Sequence, residues 1–223
     1  MKVILLGSTG FIGKAVLDRC LKTPAITSVI ALSRRDLPEE AADPKLAVVI
    51  IKDFKLYPDS VLKELKGADA YNDISADGGR SIGTYNSDPV VELEYPEAFQ
   101  EALLKVLDVK RNFIYVYLGG AFTEQDQEKT LWFLPGARRL RGLAQTKFLE
   151  FGKQNQHIKT YVVRPAAVLP GDGSVFLGFL LPTVSVRSLA AVMVDLAING
   201  GNEQVVANKV IIEKGKELLM KQR

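Results

Sequence analysis

Short unbroken apolar runs alternate with helical stretches along this chain, and that alternation limits the available folds more than any other feature. Val3 to Leu6, Thr27 to Leu32, Leu46 to Ile51, Ala68 to Ser75, Phe113 to Leu118 and Thr160 to Val163 read as six strands. Helical stretches fall between them. Phe11 to Leu21 carries Ile12, Ala15, Val16 and Cys20 on one face, and a short helix is expected from Asp59 to Lys66. Pro89 to Leu107 reads as a long helix, and Gly136 to Gly152 as another, with Leu140, Ala144, Phe148 and Phe151 at helical spacing. Strands without polar alternation, separated by helices, predict a parallel sheet covered on both faces. Such crossovers are right-handed, and ligands bind beyond the carboxyl ends of the strands, where the strand order reverses. Residues 1–223 are expected to form one domain. Its part from 171 to 223 supplies a loop-rich substrate cap, a helix from Val186 to Ile198, a last strand near Val205 to Ile212 and a solvated basic tail from Lys209.

Composition narrows the function. The chain has 223 residues, 47% apolar and 25% charged, with a net charge of +3, which excludes disorder and a polybasic nucleic-acid binder. A single cysteine, Cys20, forms no internal disulfide and suits a reducing compartment. With His157 as the one histidine, too few ligands exist for an ordinary zinc site, and no metal is expected. The longest apolar stretch, Val175 to Val184, has ten residues including a glycine and a proline, against about 20 for a membrane span. The amino-terminal MKVILLG lacks the apolar block and cleavage site of a signal peptide. The expectation is a soluble cytoplasmic protein without a membrane span or nucleic-acid partner, its oligomeric state open, a homodimer included.

Gly7, Gly10 and Gly13 form G-x-x-G-x-x-G between the first strand and the first helix. A dinucleotide pyrophosphate needs such a turn, because backbone N–H groups and a helix amino terminus must approach it with no side chain in the way. The turn Gly7-Ser8-Thr9-Gly10-Phe11-Ile12-Gly13 is therefore the candidate cofactor loop of a Rossmann-like, doubly wound α/β fold. The second strand ends in Ser33-Arg34-Arg35 instead of the carboxylate that would hold a free ribose 2′-hydroxyl. A guanidinium there suits a 2′-phosphate, so NADP(H) is expected over NAD(H). Asp53 and Phe54, past the third strand, are placed to meet the adenine by a hydrogen bond and an apolar edge. Ser75 and Pro165, at the ends of the fourth and sixth strands, complete the expected cofactor contacts.

GSTGFIG, LSRR, KDF, DPVVELEYP, ARRLRG and VVRPAAVLP together resemble atypical short-chain dehydrogenases/reductases of the NmrA-like or epimerase-like branch, over almost the whole chain. The resemblance implies a nicotinamide cofactor and a small-molecule pocket above the sheet. It also implies a serine at the end of the fifth strand, and a tyrosine followed four residues on by a lysine. The tyrosine exchanges a proton with the substrate carbonyl; the lysine supports it and holds the ribose. All three are missing. The fifth strand ends Tyr117-Leu118-Gly119-Gly120, and Ala137 and Arg141 stand where the tyrosine and lysine should.

A substitute polar site is expected from Asp73, a carboxylate on a central strand where an unpaired charge is expensive, together with Tyr117 and Arg141. The alternative keeps Asp73 at a frayed strand end and the tyrosines in the core. Trp132, Phe133 and Leu134, beside Pro135, read as packing; with Phe176, Leu177, Phe179 and Leu180 they could instead line an apolar cavity, and an exposed loop of this kind needs something to cover it. The expected function is isomerisation or cyclisation of a hydrophobic small metabolite. The alternatives are an NADPH-dependent reductase with a substitute proton donor and an NADP(H)-sensing binding protein.

Overall fold

The computed structural model describes residues 1–37, 42–73, 88–171 and 183–221. Its elements run β1 (Lys2–Leu6), α1 (Phe11–Lys22), β2 (Ser28–Ser33), β3 (Leu46–Ile50), α2 (Asp59–Leu65) and β4 (Ala70–Asp73). A π-helical turn (Val90–Glu94) then leads into α3 (Tyr95–Val106), followed by β5 (Phe113–Leu118), α4 (Pro135–Gln154) and β6 (Ile158–Arg164). Next come β7 (Ala167–Leu169), β8 (Thr183–Ser185), α5 (Val186–Asn199), β9 (Val205–Ala207) and α6 (Asn208–Met220).

Seven of the described strands pair in parallel in the order β3-β2-β1-β4-β5-β6-β9. The order reverses between β1 and β4, which places a ligand crevice at their carboxyl ends. This is the Rossmann-like doubly wound sheet expected from the alternation of runs. Successive side chains on a strand face opposite ways, so each strand feeds two cores. Val3, Leu5, Val29, Ala31, Ala70, Val116 and Val163 pack with α1 and α5. Ile4, Leu6, Ile30, Leu32, Tyr71, Tyr115, Tyr117 and Val162 pack with α2, α3 and α4. On this second face aromatic rings hold the layers together: Tyr71 stacks on Phe99 at 3.9 Å, and Tyr115 meets Phe148 edge-on at 4.7 Å. Tyr71 and Tyr115 are thus core side chains. Such pairs add about 0.5–1.5 kcal/mol each beyond burial.

Two elements differ from expectation, and the fourth strand is only partly described. The long helix opens with a π turn. The described part of the fourth strand is Ala70–Asp73, and Ser75 lies outside the described residues, as do Phe176, Leu177, Phe179 and Leu180. The last strand stops at Ala207 and the chain turns into α6, because Ile211 and Gly215, four residues apart, face α5 with helical rather than strand periodicity. Among the described residues no helix is long and apolar enough to cross a membrane, and no cluster of His, Cys, Asp and Glu could hold a metal. Cys20 is buried, and burial pushes its thiol up to about 12, so it is not a nucleophile.

Candidate functional site

The first strand delivers the chain into a turn at the carboxyl edge of the sheet. Gly7 has φ 78°, and the Gly10 N–H donates to its carbonyl at 3.0 Å. Gly10 precedes α1, which has no side-chain cap and no acidic residue in its first turn. Its amino-terminal N–H groups and positive dipole end are therefore unopposed. Gly13 lies so close to the turn that a β-carbon there would stand 1.8 Å from the Gly7 carbonyl oxygen. Ser8 is buried and its hydroxyl has no hydrogen-bond partner among the described residues. A buried hydroxyl without a partner is costly; a phosphate oxygen at the start of α1 would satisfy it. Phe11 is exposed, while Thr9 and Ile12 are half-buried. The residues present fit a dinucleotide pyrophosphate.

At the end of β2 the Ser33 hydroxyl donates to the Arg35 carbonyl at 2.6 Å and accepts from the Arg35 N–H at 3.2 Å. Ser33 therefore closes a turn with Arg34 at its apex, and both arginines are exposed. β2 neighbours β1 in register, Leu32 opposite Leu6, so Arg34 leaves the sheet beside the glycine turn. Past β3, Asp53 is exposed, its carboxylate accepting the Lys55 N–H at 2.9 Å. Phe54 is different. It is buried, with its ring 5.6 Å from that of Tyr95, and belongs to the core instead of offering an apolar edge to adenine. Burying a phenylalanine stabilises by about 1.5–3 kcal/mol, which favours the interior once α3 supplies a surface.

The end of β5 carries the second polar group of the site. The Tyr117 hydroxyl donates to Glu92 Oε2 at 3.4 Å, and Arg141 Nε donates to Glu92 Oε1 at 3.1 Å. The Glu92 side chain is 1% exposed and that of Arg141 17%. A π turn, a strand and a helix thus converge on one buried carboxylate. Arg141 also lies against the exit of β5, its Nη1 being 4.0 Å from where a β-carbon on Gly120 would stand. Tyr117 and Arg141 come together as expected, but the carboxylate that joins them is Glu92. Asp73 pairs in register with Tyr117 across β4 and β5; its side chain lies outside the described residues. A signal for Glu92 was present: it stands seven and eleven residues before Phe99 and Leu103, on their buried stripe. A charged residue at such a position needs a partner.

The loop leaving β5 is fixed by β6. Arg164 donates from Nε to the Gly120 carbonyl at 3.1 Å and from Nη2 to those of Ala121 and Thr123 at 3.2 and 2.8 Å. Burial pushes this guanidinium below its usual pKa, with Glu124 opposing. The buried Pro165 accepts the Ala121 N–H at 2.9 Å, so its carbonyl serves the same loop.

No family model matches the chain. A leucinostatins biosynthesis cluster protein T of Purpureocillium lilacinum is 37% identical over 68 residues, which are 30% of this chain and 25% of that protein. The match therefore spans about a quarter of the curated relative. Among solved structures, the oxidoreductase ylbE of Lactococcus lactis superposes with TM-score 0.68 at 19% identity, covering 99% of this chain and 97% of that one. The Gre2 protein of Candida albicans, solved with NADPH, gives 0.68 at 16% identity over 93% of this chain and 77% of that one. A short-chain dehydrogenase of Burkholderia cenocepacia, solved with NADP, gives 0.67 at 13% over 100% and 94%. At these identities the likeness is one of fold, the Rossmann-like doubly wound sheet.

Proposed function

We propose that this chain is an NADP(H)-binding enzyme of small-molecule biosynthesis that works without the serine-tyrosine-lysine relay, by isomerisation or cyclisation of a hydrophobic substrate. The observation that carries the cofactor is the glycine turn: Gly13 admits no side chain, α1 presents an uncapped amino terminus, and the buried Ser8 hydroxyl lacks a partner among the described residues. Gly7 to Gly13 would hold the pyrophosphate, Arg34 the 2′-phosphate and Asp53 the adenine edge. The neighbours solved with NADPH and NADP, and the relative from a biosynthesis cluster, support the same reading.

When bound, a nicotinamide supplies a hydride donor or acceptor. What this chain contributes around it differs from the family pattern. The Tyr117 hydroxyl donates to a carboxylate, whereas in the family pattern the tyrosine is supported by a lysine. The Tyr117–Glu92–Arg141 group is therefore not that relay rebuilt from other residues. Positioning by shape and by a few fixed dipoles is what remains, and it suffices for rearrangements that need orientation. A reductase is the second reading. Arg141 favours it, because it stands at the relay lysine's place in the helix and lies over Gly120.

The two separate by stoichiometry. After NADPH binding is established by fluorescence titration, product is measured against NADPH consumed over a panel of apolar carbonyl compounds. Conversion with the NADPH amount unchanged is the expected result. One NADPH oxidised per product would replace this reading with the reductase, and Tyr117→Phe would then show whether the phenol supplies the proton. For the cofactor itself, Arg34→Leu is expected to weaken NADPH binding roughly 10- to 100-fold, the loss of one charge-assisted hydrogen bond, while NADH affinity stays unchanged. Equal loss for both nucleotides would show that Arg34 does not contact the 2′-phosphate.

A further inference from the structure

We propose that β3 is the interface of a twofold dimer: the β3 strands of two copies of this chain pair antiparallel, with Val49 facing Val49 of the second copy across the axis. The inference is independent of the cofactor and of the chemistry proposed above. β3 and β9 close the two sides of the sheet. An edge strand offers unpaired N–H and C=O groups to any extended chain, and proteins blunt such edges with short strands, lysine, proline or bulges. β9 is blunted by its length, three residues. Leu46 to Ile51 has no such defence: all six residues are apolar and four are β-branched, without charge, proline or glycine. Ile50 is 42% exposed, and Leu46, Val48 and Val49 are only half-buried.

The hydrogen-bond phase of β3 fixes which groups face outward. The Val29 N–H donates to the Lys45 carbonyl at 2.7 Å, and the Ile51 N–H to the Ser33 carbonyl at 2.8 Å. Odd-numbered residues of the strand thus turn their backbone groups to β2, and Leu46, Val48 and Ile50 turn theirs away from it. The Leu46 N–H donates to the Asp43 carbonyl at 3.0 Å. The Leu46 carbonyl and both backbone groups of Val48 and Ile50 then have no backbone partner among the described residues. An antiparallel strand satisfies them only where outward residues stand opposite outward residues. With the axis at Val49, Val48 faces Ile50 of the second copy and the two exchange both bonds, while the Leu46 carbonyl receives the Lys52 N–H of the second copy. Every outward group is paired, which is the condition a covered strand must meet.

Charge complementarity selects both this register and a second copy as the occupant. With the axis at Val49, Lys45 falls opposite Asp53 of the second copy and Asp43 opposite Lys55, and symmetry repeats both pairs. Lys45 Nζ holds the Leu21 and Thr23 carbonyls at 2.9 and 3.2 Å, and the Asp53 carboxylate accepts the Lys55 N–H. Neither Lys45 nor Asp53 has an ion-pair partner among the described residues. The smallest shift that keeps outward groups opposed sets Asp43 against Asp53 in one direction and Lys45 against Lys55 in the other. Like charges directly opposite destabilise a strand pair, whereas opposite charges and β-branched pairs support it. The flanks of β3 are therefore complementary to themselves, as a closed twofold interface requires.

In sedimentation velocity the wild-type chain is expected to pass from monomer to dimer as its concentration rises. Val49→Cys should then cross-link to a covalent dimer with oxidised glutathione, because Cα atoms at a non-hydrogen-bonded antiparallel pair lie about 4.5 Å apart, within disulfide range. The wild type should not cross-link: Cys20 is buried and its thiol is pushed up to about 12. Ala47→Cys is the register control; it faces Ile51 of the second copy and should stay uncross-linked. Ile50→Lys, a charge on the exposed edge, should raise the dissociation constant by about tenfold or more, with the circular dichroism of the chain unchanged. A wild type that stays monomeric at every concentration overturns the proposal. So does a dimer that survives Ile50→Lys undiminished, and so does cross-linking of Ala47→Cys in place of Val49→Cys. If Ile50→Lys fails to fold, the two cysteine variants decide.

Discussion

Gly13→Ala is expected to abolish measurable NADPH binding and to destabilise the fold by about 3 kcal/mol or more, the upper range for overpacking against atoms that cannot move. The atoms in question are backbone. The added carbon would sit 1.8 Å from the Gly7 carbonyl oxygen and 2.6 Å from its carbon, inside the turn that opens α1. Relief needs the helix to move away from the turn, which removes the N–H groups from the place a pyrophosphate would occupy. For a chain of this size the loss corresponds to a melting temperature lower by roughly 6–12 °C. Gly136→Ala supplies the control, because nothing lies within 4 Å of a β-carbon there. That variant should keep NADPH affinity and gain about 0.5–1 kcal/mol, as alanine replaces glycine in a helix. A Gly13→Ala protein that melts and binds like the wild type would show that the turn is wider than the structure has it.

Glu92→Leu is expected to cost about 3 kcal/mol, measured by denaturant unfolding. Removing one partner of a buried ion pair costs 3–5 kcal/mol, and the partial exposure of Arg141 puts this pair at the lower end. Most of that cost is the charge left on Arg141 without this carboxylate. The double variant Glu92→Leu/Arg141→Met should therefore recover to within about 1 kcal/mol of the wild type. Tyr117→Phe alone removes one hydroxyl donor and should cost only about 1 kcal/mol. If the double variant is as unstable as Glu92→Leu, the two side chains are not coupled and the buried carboxylate has another role.

The expected positions of the glycine turn, of Ser33 and Arg34, and of Tyr117 and Arg141 at one end of the sheet all agree with the structure. Each belongs to a strand end or a helix start, and the alternation of runs suffices to place those. Phe54 shows where such placement stops. Its position past β3 was correct, but whether its ring faced a ligand or the interior depended on Tyr95, 41 residues later. Trp132 failed in the opposite sense: an aromatic beside Phe133 and Pro135 suggests packing, and it is almost fully exposed. No local pattern distinguishes the two cases.

Period, glycine spacing and charge at strand ends are properties of neighbouring residues, and from them the amino-acid chain alone determined a parallel sheet and a glycine turn that opens its first helix. Folding decided the rest. Glu92 meets Tyr117 across 25 residues and Arg141 across 49 because a π turn, a strand end and a helix face happen to pack there. A buried charge finds its partner in space, and spatial neighbours so far apart in the chain leave no spacing to read.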